Sequence, residues 1–236
     1  MLSGDITQRA RSAQFRAARA FIDSLRPLPV LALPGNHDLP LFDLPARLLA
    51  PYGEYRRYIC GDLAPWWLGD EVAVVGVNST RVLRHKHGVI TPAVVDAVAR
   101  RLGRFSAASF RVVALHHPLA IVDSDDRRNR VRGADAALAA WTAAGADLFL
   151  GGHIHLPYCV PAGPEASRAV ALQAGTAVST RRRGGRPNSY HLVRLDGTAG
   201  RRIDVEQLDY TGAEGFRTCR RWHADFGAAG WSLHAG

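Results

Sequence analysis

Four apolar segments of this chain are each followed by side chains of types that can bind metals. This feature constrains the fold more than any other. The segments are followed by Gly4-Asp5, Gly35-Asn36-His37-Asp38, His116-His117 and Gly152-His153-Ile154-His155. In α/β proteins, loops at the carboxyl ends of the strands carry the chemistry. One histidine at a strand end is most often an ordinary loop residue. Four polar strand ends together predict an α/β fold with a single site.

Helical and extended patterns alternate through the first two thirds of the chain. We predict helices over about 7–25, from Thr91-Pro92 onwards, and in the alanine-rich segment "ADAALAAWTAAG". The short apolar run from Val30 to Leu33 predicts a strand. From Arg168 the pattern becomes β-rich, with strands joined by turn residues. The interpretation is one domain over residues 1–196 and an extension over residues 197–236. Four aromatic residues of the extension are expected to pack against the domain: Phe216, Trp222, Phe226 and Trp231.

The amino-acid composition limits the class of protein but does not identify a binding partner. The 236 residues are 47% hydrophobic, which is enough for a sizeable core. The net charge is +9, but 29 of the 30 basic residues are arginine, which is typical of a GC-rich genome. The charge is therefore weak support for nucleic-acid binding. Three scattered cysteines, no membrane-length apolar run and no signal-peptide pattern predict a cytoplasmic protein.

The chemistry of the polar strand ends indicates the metal. Carboxylate, amide and imidazole ligands together suit borderline divalent ions such as Mn, Fe or Zn. Thiolate ligands would have indicated a structural zinc.

In their order along the chain, "GD", "GNHD", "HHP" and "GGHIH" resemble the motifs of the calcineurin-like metallophosphoesterase superfamily. The resemblance is strongest to the branch that contains cyclic-nucleotide phosphodiesterases, and it extends from about Ser3 to Asp196. It implies a four-layer αββα sandwich with two divalent metals at the strand ends.

The resemblance also implies roles for individual residues. Asp5 would bridge both metals, His155 would bind one of them, and His37 would contact the substrate phosphate and the leaving oxygen. The other metal would be held, together with Asp5, by Asn36, His116 and His153. Four further residues are assigned to positioning or substrate contact: Asp38, His117, Arg9 and Arg181.

Two departures from the family pattern stand out. Gln8 lies where many members have an acidic residue that orients the phosphate-contacting histidine. The first family motif, an Asp-x-His that supplies metal ligands, does not occur here. We therefore expect the protein to begin upstream of Met1, with a strand, a helix and most of a second strand before it.

The predicted activity is hydrolysis of a small phosphodiester by a metal-bridging hydroxide. One alternative is a degenerate member that holds a single metal and binds a phosphorylated ligand without turnover. A less favoured alternative is a nuclease, suggested by the arginine-rich segment 181–186. His85 and His87 are expected on the surface, where they could border the substrate pocket.

Overall fold

The computed structural model describes residues 1–198 and 200–236. Its helices are α1 (Ser12–Ser24), α2 (Leu44–Leu49), α3 (Gly53–Tyr58), α4 (Pro92–Leu102) and α5 (Ala134–Ala143). The first six strands are β1 (Trp66–Leu68), β2 (Val72–Val77), β3 (Phe110–Leu115), β4 (Leu148–Gly151), β5 (Tyr158–Ala162) and β6 (Ala169–Gln173). The last four are β7 (Ser189–Asp196), β8 (Arg202–Tyr210), β9 (Phe216–Gly227) and β10 (Gly230–Ala235).

Two sheets organise the molecule, and the predicted α/β fold is confirmed. The first has the order β1-β2-β3-β4-β6-β5, with a parallel centre (β2, β3, β4, β6) and antiparallel strands β1 and β5 at its edges. The second is antiparallel, in the order β10-β9-β8-β7. Because β2, β3 and β4 run the same way, their carboxyl ends lie at one edge.

Alternating residues of β3 build two cores. Val113 packs with α4 and α5 on one side, around the fully buried Trp141. Val112 faces the second sheet, where it packs with Ile203 and Trp231. Successive residues of a central strand face opposite sides of the sheet, and both sides are covered. The sequences of the central strands are therefore apolar along their whole length.

The junction between the sheets includes one buried polar cluster around Asp147. This carboxylate accepts hydrogen bonds from the backbone N of Arg111 (2.8 Å), the guanidinium of Arg201 (2.6 Å) and Trp231 Nε1 (3.0 Å). Arg201 also lies over the ring of Phe110 at 4.7 Å. Burial raises the pKa of Asp147, and these donors oppose that rise. The cluster ties the end of the chain to the first sheet.

Replacing Trp231 with alanine should destabilise the protein by about 3–5 kcal/mol, the usual cost of removing a buried tryptophan. The ring is 2% exposed and its N–H is bonded to Asp147. The free energy of unfolding, measured by chemical denaturation, checks this. Trp67→Ala is the control, because that ring is 40% exposed on an edge strand and should cost about 1 kcal/mol or less. Equal losses in the two variants would contradict the packing described.

Two segments differ from the sequence-based prediction. Residues 30–33 form no full strand; Ala32 makes only an isolated parallel bridge with Leu2. The first helix begins at Ser12 rather than near Thr7. The reason is that Thr7 and Ala10 form a turn, with Thr7 Oγ1 accepting from Ala10 N at 3.1 Å and Ala10 at a φ of 51°.

The boundary between residues 196 and 197 remains a prediction, and the strands on its two sides, β7 and β8, pair within one sheet. Throughout residues 1–198 and 200–236, no helix combines the length and apolar character needed to cross a membrane.

Candidate metal centre

Two turns meet at the edge of the fold where Asp5 lies. The backbone is left-handed at Gly4 (φ 95°) and Asp5 (φ 51°), and Asp5 Oδ1 accepts a hydrogen bond from His37 N at 2.9 Å. Neither glycine here could carry a side chain. A Cβ at Gly4 would lie 2.5 Å from His116 Nδ1, and one at Gly35 would overlap the backbone and carboxylate of Asp5. The glycines therefore permit the close approach that the sequence suggested.

Asp38 joins these two turns. Its buried carboxylate accepts from Ile6 N (3.1 Å), Thr7 N (2.7 Å), Thr7 Oγ1 (3.0 Å) and Gly35 N (2.8 Å). Burial and the nearby charge of Asp5 raise the pKa of Asp38 to about 6, while the backbone donors oppose this rise. Asp38 thus positions both Asp5 and the 35–38 turn, in keeping with its predicted positioning role.

Asp38→Asn should lower stability by about 1–3 kcal/mol for each donor left without an acceptor. The amide has one oxygen in place of two, and its NH₂ group would face N–H donors. Asp43→Asn is the matched control, because Asp43 is an exposed N-cap that accepts from Ala46 N, and asparagine caps equally well. Denaturant unfolding of both variants measures the difference. An unchanged Asp38→Asn midpoint would show that Asp38 does not hold the turns together.

Three electron-pair donors, from Asn36, His116 and His153, lie close together beside the carboxylate of Asp5. His116 Nδ1 is 2.7 Å from the carbonyl of Ser3, so this nitrogen carries the proton and Nε2 has a free electron pair. That Nε2 lies 3.3 Å from Asp5 Oδ1, 3.1 Å from Asn36 Oδ1 and 3.3 Å from His153 Nδ1. His153 Nδ1 is in turn 3.0 Å from Asn36 Oδ1.

This donor set fits one divalent metal. Oxygen and nitrogen ligands bound about 2.0–2.2 Å from an ion lie roughly 3 Å or slightly more from one another. The contacts described above, which join His116 Nε2 to the other three atoms and His153 Nδ1 to Asn36 Oδ1, have this spacing. Without an ion, lone pairs of carboxylate, amide and imidazole would face one another in a buried place, which is costly.

Electrostatics favour the metal-binding states of Asp5 and His153, whereas they favour the protonated form of His116. Burial opposes ionisation of Asp5, but the charge and hydrogen bond of His116 hold the pKa of Asp5 well below its usual range. Burial and then His116 lower the pKa of His153 to about 3, so its ring is neutral at physiological pH. Burial would also lower the pKa of His116, but the charge of Asp5 raises it above the ordinary value.

The His153–His155 segment is bent rather than extended. If this segment continued as a strand, the rings of His153 and His155 would point the same way, because side chains two residues apart share one face. Strand β4 ends at Gly151, however, and His153 and His155 have φ angles of 74° and 55°. The ring of His153 reaches the donor cluster, whereas His155 Nδ1 donates to the carbonyl of Arg181 at 2.6 Å. Three of the four non-glycine residues at positive φ in the described chain are predicted ligands, as is common at functional sites.

His37 lies at the rim with a defined orientation. Its Nδ1 is 3.0 Å from the carbonyl of Gln8, and its Nε2 is 3.1 Å from Arg181 Nη1. The arginine must donate to Nε2, so the ring proton is on Nδ1 and goes to Gln8. The backbone of Gln8 therefore orients His37, although position 8 lacks the acidic side chain of the family pattern.

The remaining predicted residues occupy two different settings. His117 is buried, its Nδ1 is 2.8 Å from Ser79 Oγ, and its Nε2 has no hydrogen-bond partner in the described structure. Burial, with the neighbouring histidines, lowers the pKa of His117 well below its usual value. One ring nitrogen each from His116, His117 and His153 lies within 4.8 Å of the others. Arg9 is exposed, and its backbone N–H donates to Gln14 Oε1.

The sequence argument missed one contributor, Ser79, and placed another, His85, on the surface at the border of the substrate pocket. His85, assigned to the surface, packs edge-on against the ring of His37 with centroids 5.9 Å apart. Ser79 bonds His117, as described above. The only signal for His85 was its neighbourhood of histidines, whereas Ser79 follows the polar end of β2 and could have been found by the same strand-end rule.

A cluster of carboxylate, amide and imidazole donors lies beside the carboxyl ends of β3 and β4 in this α/β protein, and its chemistry is compatible with a divalent metal. Residues 1–157 match the family described as calcineurin-like phosphoesterase, and the chain belongs to that family. Its members hydrolyse phosphoesters with divalent metals, and the His116, His117 and His153 cluster is compatible with such a metal.

Comparison with solved structures finds a similarity to the crystal structure of phosphopantetheinyl hydrolase (PptH) from Mycobacterium tuberculosis. The TM-score is 0.45 and the sequence identity 17%, over 73% of this chain and 77% of that chain. No curated protein matches the sequence.

Proposed function

We propose that this protein is a metal-dependent phosphodiesterase that acts on a small phosphodiester. The proposal rests on the contacts of His116 Nε2 with Asp5 Oδ1, Asn36 Oδ1 and His153 Nδ1 at 3.1–3.3 Å. His153 Nδ1 and Asn36 Oδ1 are also 3.0 Å apart. When bound there, a divalent metal supplies Lewis-acid stabilisation of phosphoryl oxygens and an activated water.

The residues of this chain would divide the work as follows. Asp5, Asn36, His116 and His153 hold one ion of Mn, Fe or Zn in place. Asp5 and His155 would contribute to a second ion. Preorganised ligands reduce the rearrangement needed when charge develops on the phosphoryl group.

His37 and Arg181 form the substrate side of the proposed site. Arg181 Nη1 and His37 Nε2 are 3.1 Å apart; Arg181 is exposed and His37 is half-buried. A phosphate oxygen fits this pair, because the guanidinium offers several N–H donors and balances the negative charge. His37 would contact the leaving oxygen through Nε2. When Nε2 is protonated in addition to Nδ1, whose proton is bonded to Gln8, it would donate the Nε2 proton to that oxygen.

The arginine-rich segment 181–186 is partly committed to structure, which disfavours the nuclease alternative. Arg183 Nη1 donates to both oxygens of the buried Asp126 at 2.8 Å. This ion pair anchors the loop that carries Arg181. Arg183 thus anchors the loop, whereas Arg181 faces His37.

A second candidate function is a phosphate-binding member with one metal. It is favoured by one observation: His155 Nδ1 donates to the backbone carbonyl of Arg181 and is not among the four contacting donors described above. Such a protein would bind a phosphorylated ligand without turning it over. A cytoplasmic location belongs to the proposal in both cases.

Hydrolysis of bis(p-nitrophenyl) phosphate by the metal-loaded protein tests the proposal. We expect turnover of this diester, slower turnover of the monoester p-nitrophenyl phosphate, and little cleavage of plasmid DNA. Binding of inorganic phosphate without diester turnover would support the single-metal alternative instead. Plasmid cleavage with affinity that falls steeply as salt increases would support the nuclease.

A further inference from the structure

A second group of metal-binding side chains lies on the second sheet, away from the strand ends described above. His223 in β9 is directly opposite His234 in β10, and Asp225 follows His223 on the same face. The intervening Ala224 is fully buried in the core between the sheets, and Trp231 of β10 also points inward. His223, Asp225 and His234 therefore face outward, and Asp225 and His234 are exposed.

The two imidazoles are arranged side by side. Their ring centroids are 5.0 Å apart and their planes differ by 25°. One ring nitrogen from each histidine and one carboxylate oxygen of Asp225 all lie within 4.8 Å of one another. Small changes in side-chain torsion would bring these three atoms to the spacing that ligands of one ion require.

All three groups are free for a ligand in the part of the chain that the structure describes. Neither ring makes a hydrogen bond there, and Asp225 makes no salt bridge, although the surface around it is rich in arginine. Arg202, which lies opposite Asp225 in β8, directs its guanidinium to Asp204 at 2.9 Å. Arg194 and Arg221 pair with Glu206. The neighbouring guanidinium groups thus make their ion pairs with other carboxylates, although Arg202 also interacts electrostatically with Asp225 at longer range.

We propose that His223, His234 and Asp225 form a second divalent-metal site, for Zn²⁺ in particular. Two imidazoles and one carboxylate are a common zinc donor set, with water completing the shell. An ion there would connect β9 to β10 across the face opposite Trp231. Because it binds the folded protein, it would stabilise the last hairpin of the chain. This site is independent of the proposed phosphodiesterase activity.

Calorimetric titration of untagged, metal-stripped protein with ZnCl₂ tests the site. We expect the wild type to bind one equivalent of zinc at this site. His223→Gln and His234→Gln should each lower the affinity for that zinc by at least about tenfold, the lower end of the range for losing a group that supports a metal ligand. His153→Ala should lose a different equivalent and keep this one. Ser232→Ala is the matched control on the same strand and face, and it should bind zinc as the wild type does.

The melting temperature provides a second measurement. Zinc should raise it in the wild type, and part of that rise should disappear in His234→Gln and in Asp225→Asn. Far-UV circular dichroism without metal verifies that each variant is folded. If a histidine variant is unfolded, Asp225→Asn is used in its place. Zinc stoichiometry and affinity that match the wild type in both histidine variants would overturn the proposal.

Discussion

His153→Ala is expected to remove one equivalent of metal and to reduce hydrolysis of a phosphodiester by roughly 10³-fold or more. His153 Nδ1 lies within 3.0–3.3 Å of two other donors, and its ring is kept neutral by burial. Losing one electrostatic group that stabilises a transition state already costs about 10²–10³ in rate, and here the ion itself would be lost. Metal analysis and turnover are measured on the same preparation.

His87→Ala is the matched control for that experiment. His87 is exposed, and its Nδ1 contacts the carbonyl of Arg128 rather than the donor cluster. It should leave metal content and rate near the wild-type values. Metal occupancy in His153→Ala equal to that of the wild type would remove His153 from the ligand set.

His37→Ala is expected to reduce turnover by about 10²–10⁴-fold, the range for loss of a general acid or base. Metal content should change little, because the imidazole of His37 contacts Gln8 and Arg181 rather than the four converging donors. Its backbone N–H, which bonds Asp5, is retained by alanine. Steady-state kinetics with metal analysis separates this result from that of His153→Ala.

The pH profile adds a readout that a structural role would not affect. If His37 protonates the leaving oxygen, the variant should lose the limb of the profile that requires the protonated ring, and a substrate with a better leaving group should be less affected. A loss of metal as large as that of His153→Ala would show that His37 supports the centre instead.

The strand-end pattern predicted that Asp5, Asn36, His116 and His153 would lie near one another, and their role as metal ligands stays a prediction. Parallel strands β3 and β4 position His116 and His153, whereas two turns position Asp5 and Asn36. The helices over α4 and α5 were also predicted, since Thr91-Pro92 marks one start and Gly145 follows the end of the other. Local periodicity and turn chemistry determine these features.

Other features depend on tertiary contacts that no local pattern reports. His85 reaches His37 from a loop between β2 and α4, and Arg181 does so from a loop between β6 and β7. The positive φ of His153 was missed because the segment alternates like a strand, while the site forces a bend. Strands β9 and β10 were predicted only as an aromatic extension. Their outward positions are polar or charged, and the alternation typical of a strand was not recognised in this segment.

The central claim is that phosphodiester hydrolysis depends on a metal held by the Asp5, Asn36, His116 and His153 cluster. The most direct test is turnover of bis(p-nitrophenyl) phosphate by the wild type before chelation, after chelation and after stepwise return of Mn²⁺. The account predicts that the rate is lost on chelation and returns in proportion to the metal bound at the equivalent that His153→Ala lacks. A rate that persists in fully stripped protein, or a restored rate in His153→Ala, would contradict it.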